Sequence, residues 1–254
     1  MKGGRDKTPK PKRVGLIGCG AIGTLIADAC SSKIVACDEL VVFDFDHGAA
    51  ERLKKSTTFP IKIIESFNEL LKLKPTIIVE AASQEAAREY VPQIIEKGID
   101  VVVMSTGALL QLQLNSGRVH VPSGAIGALD AISAAALAGI DEVVLTTRKN
   151  PRALKMDNSE AELVYEGTAD EAALRFPREM NVAATLALTV KPSIVKVQVV
   201  SDPLVNRNTH EIHVKWRYGE MHLRFANDPH PENPKTSALA AWSAIKLLQK
   251  FLEV

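Results

Sequence analysis

The run Gly18-Cys19-Gly20-Ala21-Ile22-Gly23 follows the apolar segment Val14–Ile17 directly and opens a helical stretch from Ala21 to about Cys30. No other feature constrains the fold as much. A strand that turns on glycines into a helix cradles a phosphate. Gly18 makes the tight turn, Gly20 has no Cβ to hold the backbone off a pyrophosphate, and Gly23 lets the helix lie close to the strand. Ala21 and Ile22 begin the helix, whose first N–H groups have no intrahelical acceptor and can face the anion. Twenty-one residues past Gly23, at the end of a second apolar run, stands Asp44 in Val41-Val42-Phe43-Asp44-Phe45-Asp46. A carboxylate there accepts both hydrogen bonds of an adenosine ribose diol. Asp46 competes for that role. An acid at this place favours NAD, because the 2′-phosphate of NADP would meet a like charge, but Lys54 or Lys55 can serve a phosphate and both cofactors stay open. Cys19 reads as a small filler between glycines.

Beyond this unit the pattern repeats. Leu40–Phe43, Ile61–Ile64, Ile77–Val79 and Val101–Met104 are short apolar runs, separated by helix-like segments at 47–55, 66–71 and 84–97. Buried strands alternating with amphipathic helices predict an α/β, Rossmann-type doubly wound parallel sheet over residues 13–122. The second half reads differently. A helix over 124–138, a strand over 142–147 and a helix over 178–188 precede three strands in series at 194–200, 211–217 and 221–226. The last two are joined by a turn at Tyr218-Gly219. This predicts a C-terminal α+β domain, residues 123–232, with a mixed or antiparallel sheet. Helical character returns from Thr236.

Of a net charge of +1, residues 1–13 carry +5, so the other 241 residues sum to −4. A mildly acidic body excludes nucleic acid as the main partner. Residues 1–12 lack periodicity and read as a disordered basic tail. No run approaches the roughly 18–20 apolar residues of a membrane span, and no apolar stretch follows the basic start as in a secretory leader. Three cysteines without a CxxC fit free thiols in a cytoplasmic protein, with no disulfide framework and no metal site expected.

Three clusters in the second half carry polar chemistry. Pro122-Ser123-Gly124-Ala125-Ile126-Gly127 is a glycine-rich loop whose amides can face a cofactor or a substrate carboxylate, Ser123 otherwise being a helix cap. Asn181, in Asn181-Val182-Ala183-Ala184-Thr185, offers a side-chain amide to a nicotinamide carboxamide, or is itself a cap. In Asn208-Thr209-His210-Glu211-Ile212, strand alternation sorts the histidines: His210 shares parity with Ile212 and Val214, whereas His213 falls on the face of Glu211 and Lys215, and His222 on that of Glu220 and Arg224. His210 is therefore either an acid–base group at a strand mouth or a satisfied core histidine.

These segments, together with Thr146-Thr147-Arg148-Lys149 and Asn233-Pro234-Lys235-Thr236-Ser237, resemble the L-aspartate dehydrogenase family over nearly all of residues 13–254. The resemblance implies NAD(P)-dependent oxidation of L-aspartate to iminoaspartate, with Ala125 and Asn181 as cofactor contacts and His210 as the active-site histidine. It also implies a final helix, within 233–254, packed back on the first domain, and a homodimer paired through the second sheet. Lys235, Thr236 and Ser237, read as the start of that helix, are candidate anchors for the substrate carboxylates along with Ser123. The alternatives are another small-substrate reductase of the same build, like dihydrodipicolinate reductase or homoserine dehydrogenase, or a catalytically silent NAD-binding sensor.

Overall fold

The computed structural model describes residues 11–112, 114, 116–176, 180–230 and 233–252, apart from the side chains of 229–230 and 233–236. The first half forms β1 (Arg13–Ile17), α1 (Ala21–Ser31), β2 (Glu39–Phe43), α2 (His47–Ser56), β3 (Ile61–Ile63), α3 (Phe67–Lys72), β4 (Ile77–Glu80), α4 (Gln84–Glu96), β5 (Asp100–Val103), a 3-10 turn (Thr106–Leu110) and β6 (Val119–His120). Its strands are all parallel, in the order β3-β2-β1-β4-β5-β6. Their near-continuous apolar sequences follow from burial on both faces. Ile26 and Leu53 of α1 and α2 pack on one face with Val14, Leu16 and Leu40, while Phe67, Leu70, Val91 and Ile94 of α3 and α4 cover the other. The strand order reverses between β1 and β4, which opens a crevice at the carboxyl ends of those two strands.

The second half forms α5 (Leu129–Ala138), β7 (Ile140–Lys149), α6 (Pro151–Leu154), β8 (Glu162–Thr168), α7 (Ala169–Arg175), α8 (Asn181–Val190), β9 (Val195–Ser201), β10 (Asn208–Trp216), β11 (Gly219–Asn227), β12 (Pro229–His230), β13 (Asn233–Ser237) and α9 (Ala238–Leu252). The larger sheet here is mixed, in the order β11-β10-β7-β9-β8, with β7 and β9 parallel and the other pairs antiparallel. Its inner face (Val143, Leu145, Val195, Val197, Ile212, Val214) packs on Ile132, Ala172, Ala183 and Leu186 of α5, α7 and α8. Its outer face is polar, with Lys215, His222 and Arg224 exposed. The final helix returns to the first half: Ala244, Ile245, Leu248 and Leu252 join the core of α1 and β1, and Lys12 Nζ donates to the Leu252 carbonyl.

Several boundaries differ from the sequence reading, each for a local reason. Helix α5 starts at Leu129, not at Gly124, because Gly124 (φ +67°) and Ala128 (φ +56°) are left-handed and cannot continue a helix. Ser123 is therefore no cap. The predicted helix over 178–188 begins at Asn181 within the described residues, and 177–179 lie outside them. The hairpin turns on Arg217 and Tyr218, with Trp216 and Gly219 as its closing pair. Residues 233–237 form a strand paired with β12 rather than a helix start. Strand β8 and helix α7 went unanticipated. A register shift between Leu163 and Tyr165 breaks the alternation of β8. The start of α7 was legible: Thr168 and Glu171 form a full capping box, the T-x-x-E signature.

Candidate active site

The glycine turn comes first. Gly18 has φ +98°, and a Cβ there would lie 2.6 Å from the Ala81 carbonyl oxygen; a Cβ on Gly23 would lie 2.5 Å from the carbonyl oxygen of Gly18. Both must be glycine for the turn to close against β4 and against itself. Gly20 is the opposite case. A Cβ there would meet nothing within 4 Å, because the position faces an open cleft of about 380 Å³. Ala21 and Ile22 line the same cleft, and α1 carries neither an acid in its first turn nor a side-chain cap to occupy its free N–H groups. This bare, open, positively polarised helix start fits a dinucleotide pyrophosphate.

Asp44 stands just past the end of β2 and holds the turn in place. Its Oδ2 accepts from Cys19 N (2.6 Å) and its Oδ1 from Asp46 N (2.8 Å). Asp46 is committed elsewhere: it caps α2 through Gly48 N (2.9 Å) and pairs with Arg52 (3.0 Å), which holds its carboxyl below the usual carboxylate range. Burial, and secondarily the Asp44 charge, push the Cys19 thiol up to about 12, so it stays protonated and unreactive.

Across the crevice, the fully buried Glu80 organises two loops at once. Its carboxylate accepts from Ala82 N, Ser83 N, Ser105 N and Ser105 Oγ at 2.9–3.1 Å, although burial raises its pKa. Ala82 and Ser105 line the cleft. The second half closes it. Asn181, the first residue of α8, accepts from Gly107 N through Oδ1 (3.3 Å) and from Thr106 Oγ1 through its carbonyl (2.8 Å), leaving its NH₂ end for a ligand. Gly124 N donates to Ser243 Oγ (3.0 Å), and the Ala125 carbonyl accepts from Asn227 Nδ2 (2.9 Å). Ala125 lines the cleft between these anchors; Ser123 does not.

His210 sits at the base of this cleft, 8% exposed, opposite Thr147 in the β10–β7 register. Its Nδ1 shares a 3.0 Å hydrogen bond with Thr147 Oγ1, which fixes the ring and leaves Nε2 for a ligand. Burial, reinforced by the nearby Lys149 charge, lowers its pKa to about 4. At neutral pH it is an uncharged imidazole, ready to accept a proton. Ser237 also reaches the cleft, its Oγ accepting from Leu239 N (3.2 Å) at the start of α9. The side chains of Lys235 and Thr236 lie outside those described. Lys149 and Asn208 line the cleft too and were not singled out from the sequence. The signal for Lys149 was present, since it continues the inward series Val143, Leu145, Thr147 of β7. A second hollow of about 470 Å³ borders Asp44, but Phe43, Phe67 and Tyr90 wall it and no described residue of the second half lines it. Chemistry that needs His210 belongs to the cleft.

Residues 130–251 match the family model "Aspartate dehydrogenase, C-terminal", and residues 18–117 match "Homoserine dehydrogenase, NAD binding domain". The L-aspartate dehydrogenase of Methanothermobacter thermautotrophicus is 40% identical over 94% of this chain and 96% of its own. That of Archaeoglobus fulgidus is 39% identical, covering 94% and 98%. The crystal structure of aspartate dehydrogenase from Thermotoga maritima superposes with a TM-score of 0.76 at 27% identity, over 94% of this chain and 96% of that one. The glycine turn and the buried His210 share one cleft, and the chain matches such relatives over 94% of its length: it belongs to the L-aspartate dehydrogenase family.

Proposed function

We propose that this protein is an NAD(P)-dependent L-aspartate dehydrogenase, oxidising L-aspartate reversibly to iminoaspartate, which hydrolyses to oxaloacetate and ammonia. One observation carries the reading: a neutral, buried imidazole and a lysine lie in the same cleft as a dinucleotide-shaped glycine turn. Residues 13–122 with 233–254 act as the cofactor unit and 123–232 as the substrate unit. Bound nicotinamide supplies the acceptor for the Cα hydride. Asp44 takes the adenosine ribose, Gly18, Gly20, Ala21, Ile22 and Gly23 the pyrophosphate, and Ala125 and Asn181 the carboxamide end.

His210 takes a proton from the substrate amine at Nε2, or in the hydrolytic direction activates water against the imine carbon. Thr147 keeps that nitrogen aimed. Lys149 and Ser237 hold substrate carboxylates, with Lys235 and Thr236 as further candidates; Ser123, outside the cleft lining, is not one. The product imine enters nicotinamide-nucleotide biosynthesis, the protein is cytoplasmic, and two copies pair through the second domain's sheet. Among the described residues no helix is long and apolar enough to cross a membrane. A catalytically silent sensor would have no use for His210 and Lys149 in the cleft.

The test follows nicotinamide absorbance with aspartate and each oxidised cofactor, and with oxaloacetate, ammonia and each reduced one. Turnover in both directions is expected. His210→Ala lowers kcat by on the order of 10²–10⁴ with cofactor affinity kept. His213→Ala and His222→Ala, on the outer face, keep turnover. Absence of aspartate turnover, or full turnover by His210→Ala, overturns the reading.

A further inference from the structure

The β10–β11 hairpin brings together three metal-ligating side chains on the sheet face opposite the one that carries His210. His213 and His222 face each other directly in the register, their rings 4.1 Å apart between centroids and 15° from parallel. Glu220 lies two residues before His222, on the same face. Its Oε2 is 3.7 Å from His213 Nε2 and 3.8 Å from His222 Nε2. One ligand atom from each of the three residues lies within 4.8 Å of the others. No metal site was expected from the sequence, because alternation gives the face of each histidine but not the cross-strand register.

A second observation points to a ligand. Among the described residues, His213 Nε2 is buried and has no hydrogen-bond partner, since the Glu220 oxygen is beyond bonding distance. An unmet polar atom of this kind costs about 1–3 kcal/mol unless something satisfies it. The surroundings do not. Val144 flanks His213 on β7, Arg224 lies toward Glu211 (3.6 Å), and Lys215, opposite Glu220 in register, leaves that carboxylate turned to the imidazoles.

The geometry points to a site for a single divalent transition-metal ion of the zinc class, held by His213 Nε2, His222 Nε2 and a Glu220 carboxylate oxygen, with water in the fourth position. Ligand bonds of about 2.0–2.2 Å in a tetrahedron set ligand–ligand edges of about 3.3–3.6 Å. Two of the three edges are thus within about half an ångström of that. His222 is two-thirds exposed and can rotate to close the third. Two imidazoles with one carboxylate suit zinc, nickel, cobalt or copper rather than calcium or magnesium. The ion would cross-link the hairpin whose first strand carries His210 three residues from His213. One chain supplies all three ligands.

The experiment titrates the metal-stripped full-length chain with zinc chloride by calorimetry, and with cobalt(II) by visible absorption. One zinc per chain, a four-coordinate cobalt spectrum and a thermal midpoint raised by zinc are expected. Even outer-sphere partners of a metal are worth 10–100-fold in affinity, so His222→Gln and Glu220→Gln should each weaken binding about 10-fold or more. His222 and Glu220 are exposed, so both variants should fold. His210→Ala should bind zinc as the unmodified chain does. No stoichiometric zinc on the unmodified chain, or equal affinity in His222→Gln, Glu220→Gln and the parent, overturns the proposal.

Discussion

Protonating His210 should destabilise this fold by an amount the structure sets. In the unfolded chain an imidazole titrates near 6.5, whereas the buried His210 titrates at about 4. Between these values the unfolded state binds the proton and the folded state does not, so stability falls as pH falls. The contribution is whole above about pH 6.5 and has been lost by about pH 4. Two and a half pKa units at about 1.36 kcal/mol each give roughly 3 kcal/mol. The group is 8% exposed, so solvent screening removes little of this. Urea unfolding of the parent and of His210→Asn, at one protein concentration across pH 7.5 to 4, isolates the effect, because every other carboxylate and histidine cancels in the difference. The variant loses ring packing at all pH values but has no proton to gain. Its stability relative to the parent should therefore rise by roughly 3 kcal/mol as the pH drops from 6.5 to 4. Parallel curves would refute the assignment of a neutral, desolvated imidazole. The catalytic counterpart is the acid limb of kcat/KM, expected well below pH 6: at pH 5.5 an ordinary histidine would be only about one-tenth neutral.

Gly20→Ala should leave the thermal midpoint almost unchanged, since the new Cβ meets no atom, yet weaken cofactor binding about 10-fold or more by filling the pyrophosphate's space, as calorimetry would show. Gly18→Ala should instead cost fold stability, its Cβ meeting the Ala81 carbonyl in a left-handed backbone, measurable by urea unfolding. Asp44→Ser should weaken NAD binding by about 1–3 kcal/mol and NADP binding by less, part of the loss in both coming from the freed Cys19 amide; equal losses for the two cofactors would move the ribose contact elsewhere. Glu80→Ala should destabilise by about 3 kcal/mol or more by stranding the amides of Ala82, Ser83 and Ser105, with unfolding by urea as the measure.

In the first sheet β1, β2, β4 and β5 were legible because they are buried on both faces, so apolar runs mark them, and because the glycine turn anchors the count; the edge strand β6, two half-buried residues, left no such mark. Strand β8 was not legible, since one register shift moves its later side chains to the other face and erases the period of two. The stretch before α5 misled for a different reason. Alanine-rich composition favours a helix, but two left-handed residues postpone it to Leu129, and that detour lets Ala125 line the cleft.

The cleft itself shows where one-dimensional reasoning stops. Alternation along β10 put His210 inward and His213 outward, as the fold has them, because burial of one sheet face forces a period of two. The same rule applied to β7 leads from Val143 through Leu145 and Thr147 to Lys149. Thr147 and Lys149 break the apolar series, the first by bonding His210 and the second where the strand emerges into the cleft. Burial lowers the pKa of His210, and an inward lysine at the strand's mouth lowers it further and, on the proposed mechanism, meets a substrate carboxylate. The two effects are linked. A bound carboxylate beside Lys149 would neutralise the charge that adds to burial in keeping His210 acidic, raising its basicity when the substrate arrives. The acid limb of kcat, which reports the substrate complex, should then lie above that of kcat/KM, which reports the enzyme before aspartate binds. Coincident limbs would mean that Lys149 faces no substrate carboxylate.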